Sequence, residues 1–500
     1  MDLIITLISK ICYFLWGDWI HIPLPGSGTL DLPLLVLILV PAGVYFTIRT
    51  GFLQIRMFPD MLRAVLEHAG VSKYAEAAED AEADDKGAAV PAGNTPDTAE
   101  TGKKKKRNGI SALQALVVST ATRVGMGNLV GVVAAVSAGG AGAVFWMWVT
   151  ALIGSATAFI EATLAQLHKE KDPLYGGYRG GPAYYIHDWI NSKRKGAPKK
   201  SILAILFALS GLICWCGISQ VVSNSVTSSF ENAFNIPPIY TVSVLVILAA
   251  IIVLRKNATV KVLDVLVPIM AGIYILLTLY MIFTNIGQLG TAFKNIFTEA
   301  FGLRQAAAGT FGAVLMNGVK RGLFSNEAGS GSAPCAAAAA EASHPAKVGL
   351  MQAFGVFIDT LLCTCTALIM LVVPESVIAG QEGMGLLQAA MAWHMGEAGV
   401  IFIAAVLWLF SFTTFLGILF YARSNVAYLF GDNWASQTVY KIVALVMLFI
   451  GGLATYTFVW DLGDVGIGLM TIFNMIALIP LSKQALDSLK DFEAKKRLRK

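Results

Sequence analysis

The sequence predicts an all-α polytopic membrane protein with about 11 transmembrane helices, in which one extra N-terminal helix precedes two five-helix repeats of inverted orientation. Three observations predict this fold class. Of the 500 residues, 56% are hydrophobic and 14% are charged, whereas soluble domains average about 25% charged residues. The apolar segments are about 20 residues long, which is longer than the alternating strands of an outer-membrane barrel. Two of these segments are interrupted by glycine and polar residues at matching positions in the two halves of the chain.

The N-terminal region, residues 1–29, precedes the first predicted span. Its weakly apolar stretch carries Trp16 and Trp19, which are typical anchors at a membrane surface. We therefore expect an interfacial amphipathic segment here. The stretch lacks the small-residue cleavage site of a secretory signal peptide.

The predicted spans follow in order along the chain. They are residues 30–49, 110–138, 142–168, 201–224, 236–254, 259–285, 306–340, 346–373, 398–423, 437–457 and 460–482. The first span is the extra transmembrane helix. Residues 110–285 form the first five-helix repeat, residues 302–484 form the second, and residues 485–500 form a basic tail.

The basic residues predict the orientation of the chain in the membrane. With the N-terminus outside, most of the 37 lysines and arginines fall in cytoplasmic segments, and the outer loops hold only Lys10, Lys294 and Arg304. Three basic residues lie inside interrupted spans, namely Arg123, Lys320 and Arg321. The net charge of +5 is therefore a topology signal, and no nucleic-acid partner is expected.

Residues 73–109 differ in composition from the rest of the chain. They are rich in Ala, Glu and Asp, they contain almost no large apolar side chain, and they end in the basic block Lys103–Arg107. Such a segment cannot bury enough apolar surface to fold, so we expect a disordered cytoplasmic loop. The basic block is typical of an anchor beside anionic lipid.

The two interrupted spans open the two repeats. The first break is Val124–Asn128 and the second is Asn317–Ser332. Because five is an odd number of spans, the second repeat must enter the membrane from the side opposite to the first. Close helix packing would explain Gly125 and Gly127 alone. It does not explain the polar residues of the same segments, which are Arg123, Asn128, Asn326 and Glu327.

A broken membrane helix exposes free backbone groups at its two half-helix ends. The N–H groups favour a carboxylate and the C=O groups favour Na⁺, so an amino-acid zwitterion with sodium fits such a site. The classes of channel and enzyme are disfavoured, since the sequence has no repeated pore ring, no GxSxG or HExxH motif and no metal-spaced histidine pair. No cofactor is expected.

Several long motifs carry a family resemblance. They are GISALQALVVSTATRVGMGNLVG at the first break, GGYRGGPAYYI (176–186), RGLFSNEAGSGSAP (321–334), GVFIDTLLCTCTAL (355–368) and VWDLGDVGIGLMTIFNMIALIPLS (459–482). Over residues 110–484 the chain resembles the alanine or glycine:cation symporter family. This resemblance implies a leucine-transporter-type five-plus-five fold in the plasma (inner) membrane. It also implies sodium-coupled symport of a small neutral amino acid, alanine or glycine, by alternating access.

The resemblance also implies a set of site residues. Substrate contacts would come from Gly125, Met126, Gly127 and Asn128 in the first break, from Trp215 and Gln220 in the fourth span, and from Asn317, Gly318, Ser325 and Asn326 around the second break. A sodium ion, as co-transported ligand, would be held by the carbonyls of Ala121 and Val124 and the hydroxyls of Thr413 and Thr414. Trp215 is also explained by simple packing, and both threonines by hydrogen bonds to the preceding helical turn.

The chain departs from the family pattern at Arg123 and Met126. The family usually reads ATVGTGN, and this chain has a guanidinium and a thioether at two of those positions. A charge at mid-membrane must be paired or hydrated, and the intramembrane carboxylates available for coupling or structural pairing are Glu161, Glu327 and Asp359. Arg123 would either repel a nearby sodium ion or be neutralised by one of these carboxylates.

These departures leave alternatives open for the transported ion and for the function. The protein would then be a cation-independent or proton-coupled amino acid transporter of altered substrate range. A membrane sensor with a transporter-like fold, with the 73–109 loop as its output, is a further alternative. The partners expected on the leading interpretation are a small amino acid, Na⁺ and the lipid bilayer.

Overall fold

The structure is a computed structural model, and it describes residues 2–23, 29–68, 109–194, 200–255, 258–301, 311–381, 383–454 and 456–498. The predicted loop at 73–109 lies outside these residues, apart from Gly109. Within these described residues, three pairs of short strands accompany the helices. β1 (Asp18–Pro23) pairs antiparallel with β2 (Thr29–Pro33), β3 (Ile110–Ser111) pairs parallel with β6 (Ala340–Glu341), and β4 (Glu170–Lys171) pairs antiparallel with β5 (Tyr178–Arg179).

Helices account for most of the described chain. The helices up to the end of the first repeat are α1 (Asp2–Trp16), α2 (Leu34–Arg49), α3 (Leu53–Arg56), α4 (Phe58–His68), α5 (Ala112–Arg123), a π-helical turn (Gly127–Gly131), α6 (Val132–Gly139), α7 (Gly142–Leu167), α8 (Pro182–Ser192), α9 (Ile202–Phe234), α10 (Pro238–Val253) and α11 (Ala258–Thr284). Those that follow are α12 (Ile286–Ala300), α13 (Phe311–Asn326), α14 (Ala333–Ala338), α15 (Pro345–Leu371), α16 (Glu375–Ile378), α17 (Met384–Met395), α18 (Glu397–Phe430), α19 (Trp434–Gly451) and α20 (Tyr456–Leu498).

The all-α membrane class is confirmed, but the count of 11 spans is not. Within the described residues, 7 helices are long and apolar enough to cross a membrane, namely α7, α9, α11, α15, α18, α19 and α20. If α5 and the bent continuation Gly127–Gly139 are counted together as one span, the number of candidate spans rises to 8. Helices α2 and α10 are apolar but only 16 residues long, which is shorter than the roughly 20 residues of an untilted span.

The two halves of the chain interlock around the breaks. Helix α7 of the first half packs along α15 and α13 of the second, and α9 packs along α20 and α18. Glycines allow the closest of these approaches. A Cβ atom built on Gly466 would lie 2.3 Å from Cys214 Cα, and one on Gly217 would lie 2.8 Å from the Gly463 nitrogen.

Helix α5 begins at a capping box that fixes where the first broken span enters the bundle. Ser111 Oγ accepts a hydrogen bond from the Gln114 amide at 3.1 Å, and Gln114 Oε1 accepts one from the Ser111 amide at 2.9 Å. This exchange satisfies amides that lack a helical partner at the first turn. Gln114 also donates to Asp264 on α11 at 2.7 Å.

The N-terminal helix α1 docks on the first turns of α20. Leu15 is fully buried, and the Trp16 indole donates to the Asp464 carbonyl at 3.1 Å. Ser9 Oγ lies 3.3 Å from an Asp461 carboxylate oxygen. The interfacial placement expected for this segment stays a prediction, since its contacts here are with the helix bundle.

Candidate functional site

The first break lies between α5 and α6. Helix α5 ends at Arg123, Val124 has non-helical angles of φ −80° and ψ 66°, and the two parts of the span meet at 44°. The π-helical turn from Gly127 restarts the span. Such turns leave backbone groups without regular helical partners and are frequent at functional sites.

Side chains partner two of the amides in this break. The Gly125 amide donates to Asn128 Oδ1 at 2.9 Å, and the Met126 amide donates to Thr414 Oγ1 at 3.3 Å. A Cβ atom built on Gly125 would lie 1.9 Å from Thr414 Oγ1. The glycine is therefore required by the close approach of α18.

The second break lies between α13 and α14 and is shorter than the sequence predicted. Helix α13 continues to Asn326, so the irregular backbone covers residues 327–332 rather than 317–332. Glu327 adopts a left-handed conformation with φ 56°, which costs a non-glycine residue about 1 kcal/mol or more. Gly329 and Gly331 also have positive φ.

Glu161 on α7 binds the backbone of the second break. Its two carboxylate oxygens accept hydrogen bonds from the amides of Gly329 at 3.0 Å and Gly331 at 3.1 Å. Asn474 on α20 donates to Glu161 Oε1 at 2.5 Å and to the Gly329 carbonyl at 3.0 Å. Tyr185 on α8 donates to Asn474 Oδ1. Every polar group of this cluster is thereby used to hold the irregular backbone.

Asp359 on α15 joins the two breaks. Its Oδ1 accepts hydrogen bonds from Asn128 Nδ2 at 2.8 Å and from Ser325 Oγ at 2.6 Å. A Cβ built on Gly127 would lie 3.5 Å from Ser325 Cα. The predicted residues Gly125, Gly127, Asn128 and Ser325 are thus brought together.

A small cavity lies between the breaks. Its volume is about 10 Å³, which is at the limit for one water molecule. It is lined by Thr122, Met126, Gly127, Ile218, Phe324, Glu327, Thr414, Ile418 and Ile467. Glu327 Oε2 accepts hydrogen bonds from Thr122 Oγ1 at 3.1 Å and from the Tyr421 hydroxyl at 3.4 Å.

Four oxygens that suit a hard cation gather where α5 approaches α18. Thr414 Oγ1 lies 3.4 Å from the Ala121 carbonyl and 2.8 Å from the Phe410 carbonyl. Thr413 Oγ1 lies 3.0 Å from the same Phe410 carbonyl. Val124, whose carbonyl is also a predicted sodium ligand, is the residue directly after α5. Both threonine hydroxyls thus make the hydrogen bonds to the preceding turn that were the alternative explanation for these threonines, and Thr413 Oγ1 also lies 3.6 Å from Met270 Sδ on α11.

Arg123 is buried and directed toward α15. Its Nη1 donates to the Gln352 carbonyl at 3.0 Å and to Gln352 Oε1 at 3.2 Å. The sequence offered a carboxylate as its partner, whereas the structure provides an amide side chain and a carbonyl.

Of the ten predicted substrate contacts, only Met126 and Gly127 line the cavity. Asn317 Nδ2 donates to the Ala313 carbonyl within α13 at 2.9 Å, and Gly318 packs on the Ala143 carbonyl of α7. Gln220 packs against Gly451 of α19. Trp215 is buried with its ring 6.0 Å from that of Tyr421. Asn326 caps the second break by accepting a bond from the Ala328 amide at 2.9 Å.

An ion-pair cluster lies beside the candidate site. Asp464 on α20 pairs with Lys320 at 2.6 Å and with Arg321 at 3.6 Å, both on α13. The Arg321 guanidinium lies 4.4 Å from the centre of the Trp460 ring. That ring is 5.2 Å from Phe324, which lines the cavity. The sequence alone assigns no partner to Lys320 and Arg321, because Asp464 is distant along the chain.

Comparison with known proteins decides the family. The profile described as "Sodium:alanine symporter family" matches residues 25–81 and 93–500. The chain belongs to the sodium:alanine symporter family. It is therefore a multi-pass membrane carrier and not an enzyme, as the sequence predicted.

Curated relatives cover almost the whole chain. The probable sodium/glutamine symporter GlnT of Bacillus subtilis (strain 168) is 40% identical over 480 residues, which are 95% of this chain and 91% of that protein. The amino-acid carrier protein AlsT of the same strain is 38% identical, covering 91% of this chain and 88% of that protein. The sodium/alanine symporter AgcS of Methanococcus maripaludis is 33% identical, covering 98% and 97%.

Solved structures share the fold of this family member. The crystal structure of MhsT in complex with L-phenylalanine matches with a TM-score of 0.53 at 13% identity, covering 75% of this chain and 89% of that one. A variant of a manganese transporter from Eremococcus coleocola matches with a TM-score of 0.50 at 11% identity, covering 76% and 82%. These likenesses confirm the leucine-transporter-type fold and carry no statement about cargo.

Proposed function

We propose that this symporter-family protein is a secondary active transporter that carries a small neutral amino acid, alanine or glycine, together with Na⁺. The observation that carries the proposal is the meeting of the two helix breaks around a cavity whose wall includes Thr414, beside the carbonyls of Ala121 and Phe410. Exposed half-helix ends supply both partial charges that a zwitterion and a cation need.

The residues that line the cavity favour a small apolar substrate side chain once the cavity opens beyond the volume of about one water molecule that it has in this conformation. Met126, Ile218, Phe324, Ile418 and Ile467 form its apolar part. A glutamine side chain would leave its amide facing these apolar groups, and an unpaired buried amide costs about 1–3 kcal/mol. Alanine or glycine leaves no such group unpaired. The relatives whose names refer to alanine are therefore a better guide to the substrate of this protein than the relative named for glutamine.

Sodium coupling is supported by the position of Arg123. Its guanidinium donates to Gln352 on α15, whereas the threonine pair lies on α18. Hydroxyl and carbonyl oxygens are the hard ligands that a sodium ion prefers. The N-terminus would lie outside and the C-terminus in the cytoplasm of a plasma (inner) membrane. The alternative is a cation-independent or proton-coupled carrier.

Counterflow in proteoliposomes tests the proposal. Proteoliposomes that contain the purified full-length protein are loaded with unlabelled alanine, and the entry of labelled alanine is followed in Na⁺ or choline medium. We expect entry in Na⁺, and at most a tenth of that rate in choline. Equal rates in both media would contradict sodium coupling. Competition by glycine but not by glutamine is expected, and the reverse order would contradict the substrate assignment.

A further inference from the structure

The three carboxylates buried around the breaks differ in their contacts. Both oxygens of Glu161 accept backbone amides of the second break. Asp359 Oδ1 accepts Asn128 and Ser325, and so it fastens the two breaks to each other. Glu327 alone, among the described residues that line the cavity, carries an ionisable side chain. The first two carboxylates are structural by their contacts, and the third faces the cavity.

The backbone at Glu327 is in a conformation that glycine would adopt more easily. Its φ of 56° is one of three left-handed values among the described non-glycine residues. Strain of this kind persists where the surroundings impose it, and it is common at ligand sites. The neighbouring positions Gly329 and Gly331 show that glycine is used elsewhere in the same break. A residue with a side chain therefore occupies position 327 although its backbone conformation there is unfavourable in free energy.

The hydrogen bonds on Glu327 come from neutral groups. Thr122 and Tyr421 donate to its Oε2 atom. The nearby cation Arg123 directs its Nη1 atom to Gln352 instead. A carboxylate in a low-dielectric interior is stabilised by a paired cation. The cavity beside Glu327 is where a transported cationic group would supply that charge.

We propose that Glu327 binds the α-ammonium group of the transported amino acid, an assignment that rests on the proposed function. The substrate carboxylate would then face the first break, where Met126 and Gly127 line the same cavity as Glu327. Sodium would occupy the separate group of oxygens from Ala121, Phe410 and the threonine pair. The site would therefore require a free ammonium group and reject 2-hydroxy acids of the same size.

The test compares alanine with lactate, which has a hydroxyl in place of the ammonium group. Full-length wild type, Glu327→Gln, Glu327→Asp and the exposed control Glu375→Gln are reconstituted, and both compounds compete with labelled alanine in counterflow at saturating Na⁺. Losing a charge-assisted hydrogen bond should raise the half-saturating alanine concentration of Glu327→Gln about 10-fold or more. The preference for alanine over lactate should fall by a similar factor.

Two further readouts separate this role from a structural one. The half-saturating Na⁺ concentration at saturating alanine should change less than about threefold in Glu327→Gln, and Glu375→Gln should match wild type in every assay. Should Glu327→Gln fail to fold, Glu327→Asp must still show a weakened preference for alanine over lactate. An unchanged preference in a folded variant would overturn the assignment, as would a sodium effect as large as the alanine effect. Absence of alanine counterflow in wild type would instead overturn the proposed function itself.

Discussion

The two helix breaks differ in the side chains that accept hydrogen bonds from their free backbone amides. In the first break the amides of Gly125 and Met126 are held by side chains of the site, Asn128 and Thr414. In the second break the amides of Gly329 and Gly331 are held by Glu161, a carboxylate outside the cavity lining. The first break is thus held partly by Thr414, one of the candidate cation ligands, whereas the second break is held by a side chain that does not line the cavity.

This difference predicts that the two breaks respond differently to substitution. Changes at the first break should alter ligand and ion affinity, because its partners lie at the cavity and at the threonine pair. Changes to the partner of the second break should alter stability first, because Glu161, Asn474 and Tyr185 form a closed hydrogen-bonded cluster. Four substitutions test this contrast.

Gly125→Ala should have the largest effect on transport. The added Cβ would lie 1.9 Å from Thr414 Oγ1, and the β-branched threonine has little rotamer freedom to move away in a helix. We expect uptake of alanine to fall about 100-fold or more, a change of ~3 kcal/mol. The matched control is Gly131→Ala in the π-helical turn that follows the break, where the added Cβ would meet nothing within 4 Å outside the helix's own backbone. Near-normal uptake by Gly125→Ala would show that α18 does not approach the break this closely.

Glu161→Gln should lower stability more than any change at the first break. An amide in place of the carboxylate retains one acceptor for the amides of Gly329 and Gly331 and turns an N–H group toward the other. Buried unsatisfied groups next to a lost charge cost about 2–3 kcal/mol. Thermal unfolding in detergent, followed by elution of the monodisperse protein, measures the loss. The exposed Glu397→Gln should be neutral, and equal melting temperatures for the two variants would refute the role of Glu161.

Sequence patterns predicted the breaks better than they predicted the partners of the breaks. Glycine and polar residues within apolar spans located Gly125, Asn128, Ser325 and Glu327, because local composition reports local backbone. Partners such as Glu161 come from helices far away in sequence, so no local pattern assigns them. The same limit applies to Asp464 beside Lys320. The sequence predicts that the second break begins at residue 317, because Asn317 and Gly318 resemble the residues of a break. In the structure these two residues lie in regular helix α13, where they serve hydrogen bonding within the helix and helix packing.

Thr414→Val should weaken sodium binding without unfolding the protein. The substitution keeps the shape of the side chain but removes the hydroxyl that lies near the carbonyls of Ala121 and Phe410. We expect the half-saturating Na⁺ concentration to rise about 10-fold, or ~1.4 kcal/mol. Thr298→Val is the matched control, since its hydroxyl donates to the carbonyls of Lys294 and Asn295 in the preceding turn. Unaltered sodium dependence in Thr414→Val would place the ion elsewhere.

Asn317→Ala should have the smallest effect, and it tests where the second break begins. The Asn317 side chain bonds to the Ala313 carbonyl within a regular helix, and losing such a bond costs about 0.5–1.5 kcal/mol. The half-saturating alanine concentration should change less than about twofold. Asn326→Ala is the informative partner, because Asn326 accepts the Ala328 amide as the helix ends, and its substitution should weaken alanine binding more. If Asn317→Ala had the larger effect, the irregular backbone would extend to residue 317 in the transporting protein, and the second break would resemble the first in using side chains at the cavity.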